Sequence, residues 1–340
     1  MQNTFLDELK QKLYDNGFDD AYIGLCLDYS KRLIANRLPV IFDKIHLSML
    51  FGMEVKELTV LVKSIENQYT IRNIPKKNGD TRELYIPSLK LKEIQRWILD
   101  EILYNIKVSP YCTGFMKEKS ILENARIHEN KACVMNLDIR NFFPSIRFES
   151  IYRVFYYYGY TSEVSYYLAR LCTVHNFLPQ GAPTSPYLSN IVCLRLDKRL
   201  SSLASKYDAN YSRYADDITL SGTGSSIVPR LPLIKIILDS EGFKINYKKV
   251  RVQKQQERQI VTGLVVNNKA RVPREVEREL RQQIYYCKKF GVNEHLKRKK
   301  KNKLSGFKEH LYGLAMFIKM IDNRKGERYV SDLNEISWDY

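Results

Sequence analysis

Residues 4–66 read mainly as helix, with short breaks near Asn16-Gly17 and Pro39. The pattern then changes. Tyr69–Pro75 and Arg82–Pro87 read as two strands around Lys76-Lys77-Asn78-Gly79-Asp80, and Asn-Gly is a strong hairpin signal. Leu91, Ile94, Trp97, Ile98 and Ile102 follow 3-4 spacing, which predicts a helix over 88–105. Val134–Ile139 is a short apolar strand that ends on an acid. Residues 211–220 read as strand, turn, strand with acids at the turn, and Ile260–Asn267 as a further strand. The last 70 residues read as a helical module. Pro273 suits a first helical position and Gly291 a stop, with Val276, Leu280, Ile284 and Cys287 between them as an apolar stripe. A second helix is predicted through Leu304, Phe307, Leu311, Leu314, Ile318 and Ile321. The expected class is α+β.

Composition sharpens this. Hydrophobic residues are 44 % of the 340, enough for a real core and too many for a disordered chain. No window approaches about 18 uncharged apolar residues, so no spanning helix and no membrane role are expected. The first twelve residues lack a basic start followed by an apolar stretch, so no secretory signal is expected and a cytoplasmic setting is. Six cysteines, no two within four residues, read as reduced core thiols rather than a zinc site.

The formal charge is +17, which points to a polyanion: nucleic acid first, an acidic membrane surface second. It is unevenly spread. Residues 1–60 carry 7 cations and 9 anions, residues 61–270 carry 31 and 19, and residues 271–340 carry 17 and 10. The first segment therefore falls outside the polyanion surface and is the place to look for a protein partner. Lys297, Arg298, Lys299, Lys300, Lys301 and Lys303 crowd a predicted loop between the last two helices, a run suited to phosphate contact.

Two acidic features stand out against this basic field: Asp138 at the end of an apolar strand, and Asp216-Asp217 at a hairpin tip. Three carboxylates at neighbouring strand ends would hold two Mg²⁺ ions through oxygen ligands, an arrangement suited to in-line phosphoryl transfer.

Tyr214-Ala215-Asp216-Asp217 is the tetrad of the reverse transcriptase family, and the chain resembles that family over most of its length. Asn136-Leu137-Asp138-Ile139 with Asn141-Phe142-Phe143 resembles the family's first metal-binding motif. Leu178-Pro179-Gln180-Gly181 resembles its LPQG-type motif. The resemblance implies a right-hand polymerase: an N-terminal helical segment 1–66, fingers 67–135, a palm 136–267 with an antiparallel sheet, and a helical thumb 268–340. It implies metal ligation at Asp138, Ile139, Asp216 and Asp217. Phe143, five residues after Asp138, would close the sugar pocket, and Gln180 would meet the incoming nucleotide. Arg82, with Lys76 or Lys77, would clamp the triphosphate of a deoxynucleoside triphosphate. Lys248 matches a later family lysine that could protonate pyrophosphate, with Lys249 as the open alternative.

Two further motifs narrow the resemblance. Asn124-Ala125-Arg126-Ile127-His128 fits the NAxxH pattern of retron reverse transcriptases, and Val261-Thr262-Gly263 fits their VTG pattern. That implies a cognate structured noncoding RNA, priming from a guanosine 2′-hydroxyl, and a branched RNA–DNA product called multicopy single-stranded DNA. It also implies antiphage defence beside an effector protein. Asn124 and His128 become candidate RNA contacts, against the alternatives of a helix cap and a satisfied structural histidine. Another bacterial reverse transcriptase, or an inactive RNA-binding scaffold, are the competing readings. Only about 75 residues follow the VTG motif, which argues against a maturase-bearing intron enzyme.

Overall fold

The structure, a computed structural model, describes residues 2–75, 79, 81–224, 226–298 and 306–338. The chain opens with helices α1 (Gln2–Asp15), α2 (Asp20–Ala35), α3 (Lys44–Leu50) and α4 (Val55–Lys63), then strands β1 (Tyr69–Pro75) and β2 (Thr81–Pro87). Next come α5 (Leu89–Trp97), α6 (Ile121–Arg126), β3 (Cys133–Asp138), α7 (Phe142–Ser145), α8 (Phe148–Tyr157), α9 (Ser162–Cys172), α10 (Ser185–Val192) and α11 (Leu194–Ser205). Strands β4 (Ala209–Tyr214) and β5 (Asp217–Gly222) precede α12 (Leu231–Ser240), β6 (Arg251–Lys254), β7 (Ile260–Val261) and β8 (Leu264–Val265). Helices α13 (Arg274–Phe290), α14 (Val292–Arg298), α15 (Phe307–Ile321) and α16 (Asn323–Asn334) close it. The fold class is α+β.

The chain divides into two compact units, each discontinuous in sequence. The first comprises Met1–Phe115, Ile139–Arg199 and Ile234–Ile245. Its helices start where side chains satisfy the open backbone N–H groups: Asp19 accepts from Tyr22 N, Asp43 from His46 N and Thr161 from Val164 N. Helix α9 buries Val164, Leu168, Leu171 and Cys172, and α3, α4 and α5 pack against it. The β1–β2 hairpin pairs in antiparallel register from Tyr69 opposite Pro87 to Pro75 opposite Thr81.

The second unit comprises Met116–Asp138, Leu200–Leu233 and Asn246–Tyr340. Its centre is an antiparallel sheet in the order β4-β5-β3-β6. Strand β3 has neighbours on both sides, and apart from half-buried Asn136 it is wholly buried. Val134 of β3, Ala125 of α6, Val261 and Leu264 of the β7–β8 hairpin and Leu280 of α13 belong to one apolar core. The C-terminal helices are thus packed into the same core as the sheet. Where α15 meets α16, a Cβ on Gly326 would lie 2.1 Å from the Cα of Lys319, so only glycine permits that approach.

Several sequence expectations change. Residues 260–267 are not one strand. Thr262 and Gly263 both take positive φ, +45° and +84°, and fold the segment into a two-residue hairpin. The helix from 88 ends at Trp97 and continues as a π-turn over Ile98–Ile102 and a 3-10 turn over Leu103–Asn105. Pro273 is the cap of α13, not its first residue. Lys297 and Arg298 are not in a loop; they are exposed on the last turn of α14. Lys299, Lys300, Lys301 and Lys303 lie outside the described residues, as do Leu304, Lys76 and Lys77.

Candidate active site

The acidic site is built by strand register. In the β3–β5 pairing Asp138 stands directly opposite Asp217, and in the β4–β5 hairpin Tyr214 stands opposite Asp217. Opposed residues of an antiparallel pair have Cβ atoms about 5 Å apart. The tight turn between the strands is made possible by Ala215, which takes φ +57°, and it carries Asp216 beside Asp217. Three carboxylates therefore share one edge of the sheet.

Asp138 is 5 % exposed and accepts at both oxygens. Asn246 Nδ2 donates to Oδ1 at 3.0 Å, and Lys249 Nζ pairs with Oδ2 at 2.5 Å. Asn246 N also donates to the Asp138 carbonyl at 2.8 Å. Residues Tyr247–Lys249 form a 3-10 turn. Positions three apart on such a turn lie on one side, so Asn246 and Lys249 both reach Asp138. Lys248 is exposed and points elsewhere on the turn. Of the two lysines weighed from the sequence, Lys249 is the one at the site. Asn246 was not foreseen, and the only signal for it is this three-residue spacing.

The electrostatics show a site held under repulsion. Asp217 is pushed up to about 6, first by desolvation, then by Asp216 and Asp138, with Lys249 and Arg251 pulling the other way. Its side chain is exposed at the strand end, so the like charge of its two neighbours deserves more weight than desolvation. Burial lowers the Lys249 pKa, but its bond to Asp138 and the charges of Asp216 and Asp217 outweigh that and raise it.

Among the described residues no three acidic, histidine or cysteine side chains converge into a ready-made metal cage. The donor set, three crowded carboxylates of which one is pushed towards protonation, fits a divalent cation. Ile139 is 2 % exposed and could offer only its main-chain carbonyl.

In the other unit, Gln180 and Gly181 dock on strand β2. Tyr85 N donates to the Gln180 carbonyl at 2.8 Å. Gly181 takes φ +120°, and a Cβ there would lie 2.6 Å from the Tyr85 carbonyl oxygen, so no other residue fits. The loop is thereby fixed to the strand that carries Arg82, which is exposed opposite Ile74. Phe143 is half-buried and packs against Phe142 and Phe115, ring centres 5.4 and 6.1 Å away.

Asn124 and His128, the candidate RNA contacts, are both inside the protein. They are 1 % and 0 % exposed. The helix cap is Ser120, paired with Glu123 in a capping box, not Asn124. Asn124 Nδ2 lies 3.5 Å from Thr262 Oγ1. Both ring nitrogens of His128 are engaged, Nδ1 with Ser221 Oγ and Nε2 with Ser212 Oγ, each at 2.7 Å. Burial pulls the pKa of His128 down to about 3, so the ring is neutral and one nitrogen donates while the other accepts. His128 is a structural tie between β4 and β5.

Carboxylates crowded at one end of the sheet, one of them paired with a lysine, in a strongly basic chain are a donor set suited to phosphoryl transfer on a polyanion. Residues 74–266 match the reverse transcriptase (RNA-dependent DNA polymerase) family. The Escherichia coli retron Ec86 reverse transcriptase is 33 % identical over 309 residues, covering 89 % of this chain and 92 % of that protein. The Myxococcus xanthus retron Mx162 reverse transcriptase is also 33 % identical, over 90 % of this chain and 69 % of that protein. A solved telomerase from Candida albicans, in complex with a telomeric RNA fragment, aligns at 13 % identity and a TM-score of 0.46 over 84 % of this chain and 59 % of that chain. The chain belongs to the reverse transcriptase family and, within it, to the retron reverse transcriptases. It is an RNA-directed DNA polymerase.

Proposed function

We propose that the chain copies part of a cognate structured noncoding RNA into DNA, starting from the 2′-hydroxyl of a guanosine in that RNA. The product is a branched RNA–DNA molecule, multicopy single-stranded DNA, made in the bacterial cytoplasm and used with an effector protein in antiphage defence. The observation that carries this reading is the match to retron enzymes along 89 % of the chain, which takes in the Asn124–His128 and Val261–Gly263 motifs. No helix among the described residues is long and apolar enough to cross a membrane.

We assign the N-terminal helical segment to 1–66, fingers to 67–135, palm to 136–267 and thumb to 268–340. In each cycle a hydroxyl oxygen attacks the α-phosphorus of a deoxynucleoside triphosphate, the new P–O bond forms, and pyrophosphate leaves. Asp138, Asp216, Asp217 and the Ile139 carbonyl would hold two Mg²⁺ ions. Bound there, Mg²⁺ would lower the pKa of the attacking hydroxyl and neutralise charge on the phosphates. Lys249 is the proton donor to the leaving pyrophosphate. Arg82, with Lys76 or Lys77, pairs with the β- and γ-phosphates, and Gln180 meets the nucleotide. Phe143 lies under C2′ and turns away a ribose hydroxyl by steric clash. Lys297 and Arg298, with the lysines that follow, contact RNA phosphates. The effector docks on residues 1–60, which are net acidic and expose Leu25 and Met49 at 71 % and 73 %.

The direct test is to sequence nucleic acid that co-purifies with the protein from its host. Branched single-stranded DNA joined to RNA is the expected result, and linear complementary DNA alone would overturn the priming assignment. Phe143→Ala should raise ribonucleotide incorporation in the same preparation; unchanged sugar discrimination removes Phe143 from the gate.

A further inference from the structure

Thr262 is an unusual residue for its place. It is β-branched, yet it takes φ +45° in the first central position of a tight hairpin, a conformation such residues rarely adopt. Asparagine or glycine would suit that turn better. What threonine adds is a hydroxyl. Thr262 Oγ1 donates to the Ile121 carbonyl at 3.2 Å and lies 3.5 Å from Asn124 Nδ2. Both partners are in α6. At the other end of α6, the Ile127 carbonyl accepts from Asn210 Nδ2 at 2.6 Å, and His128 bridges Ser212 and Ser221. Those three residues are on β4 and β5, the strands joined by the turn that holds Asp216. Beyond Thr262, Val265 and Arg271 exchange backbone hydrogen bonds at 2.9 and 3.0 Å, three residues before α13 begins at Arg274. A strained residue held by specific hydroxyl contacts is a pointer to function rather than to stability.

We propose that Thr262 is a positioning residue. With Asn124 and His128 it forms a strut from the β7–β8 hairpin through α6 to the open end of the β4–β5 hairpin, where Asn210 pairs with Ser221. The same two strands carry the Tyr214–Asp217 turn at their other end, so the strut sets where the C-terminal helical module stands relative to the aspartates. A template–primer gripped by that module then reaches the carboxylates in register. The functional half of the proposal rests on the proposed assignment above of residues 268–340 as a thumb that contacts nucleic acid.

The test uses the full chain with poly(rA) primed by oligo(dT), dTTP and Mg²⁺. Thr262→Gly relaxes the turn and removes the hydroxyl, and Thr262→Ser keeps it. With a heparin trap, Thr262→Gly should shorten the product made per binding event roughly fivefold. The rate of adding a single nucleotide should hold, the melting temperature should not fall, and Thr262→Ser should restore product length. Amide hydrogen exchange in Tyr211–Leu220 should quicken in the glycine variant. Unchanged exchange there overturns the strut itself. Quickened exchange with full product length overturns the grip of the module on the duplex and leaves the strut standing. A serine variant as short in product as the glycine variant overturns the role of the hydroxyl.

Discussion

Two polar clusters sit on the same sheet and are built in opposite ways. The aspartate edge is open and overcharged: three carboxylates, one lysine, and Asp217 pushed up to about 6. The Asn124–His128 cluster is closed and neutral, with both nitrogens of His128 satisfied by serine hydroxyls and its pKa pulled down to about 3. Unrelieved like charge is costly, and folded proteins keep it where a ligand will relieve it. Satisfied buried networks instead fix geometry. On the proposed function, then, the cluster that looks less comfortable is the one suited to the chemistry, and the comfortable one is suited to holding it in place.

The largest effect should come from removing the charge at the open site. Asp216→Asn with Asp217→Asn should lower primer extension by about a thousandfold or more, and chelation of Mg²⁺ should do the same to the wild type. Folding should not suffer. The pKa of Asp217 is raised in the metal-free native state, so its favourable share of stability is present below the unfolded value of 3.8 and is lost as pH rises through about 6. Metal-free Asp217→Asn should therefore gain stability over wild type at pH 7 and little at pH 4, read from urea midpoints. A loss of stability at pH 7 would erase the contrast between the two clusters.

Next comes the closed cluster. His128→Ala leaves two buried serine hydroxyls without their partner and opens a cavity, at a cost of about 3 kcal/mol. The sign of the pH effect is the reverse of that at Asp217. The folded pKa of His128 is depressed, so its contribution is complete above the unfolded value of 6.5 and is lost as pH falls towards 3. The penalty of His128→Ala should then be larger at pH 7.5 than at pH 5. A penalty that grows on acidification would mean the ring is charged and the cluster is not neutral.

The open site was largely legible in the sequence and the closed one was not. Asp138 and Asp216-Asp217 lie in short local patterns, strand then acid and strand–turn–strand, that need no knowledge of distant partners. The choice between Lys248 and Lys249 depended on a three-residue 3-10 turn, too short to leave a periodic signal. His128 is buried by Ser212 and Ser221, 84 and 93 residues further along, so nothing near it announces its burial. Helix α14 was missed for a related reason. It has seven residues, and its inward positions Val292, His295 and Leu296 are too few to stand out from the cations around them.

Lys249→Met gives a smaller effect that sharpens the comparison. The Lys249 side chain is 58 % exposed although its partner Asp138 is 6 % exposed. With Mg²⁺ present to neutralise the carboxylates, the exposed ammonium adds little to folding, while a proton donor at the leaving group is worth about a hundredfold in rate. In Mg²⁺ the rate should fall by about that factor, with the urea midpoint almost unmoved. A large loss of stability with a small loss of rate would place Lys249 among the structural ties instead.

The smallest effect should come from the cap that starts α6. That helix has six residues, too short to be stable alone, so it depends on its ends. Ser120 accepts from Glu123 N while Glu123 Oε2 accepts from Ser120 N, the reciprocal pair that satisfies two open donors. Ser120→Ala should cost about 1 kcal/mol, less than the loss of His128, because it removes a cap at the end of the helix and leaves no histidine pocket empty. Single-nucleotide addition should be unchanged, and the pH dependence owed to His128 should survive intact. If Ser120→Ala instead flattened that pH dependence, His128 would be gaining water in the variant. The closed cluster would then depend on its helix cap as much as on the two serines.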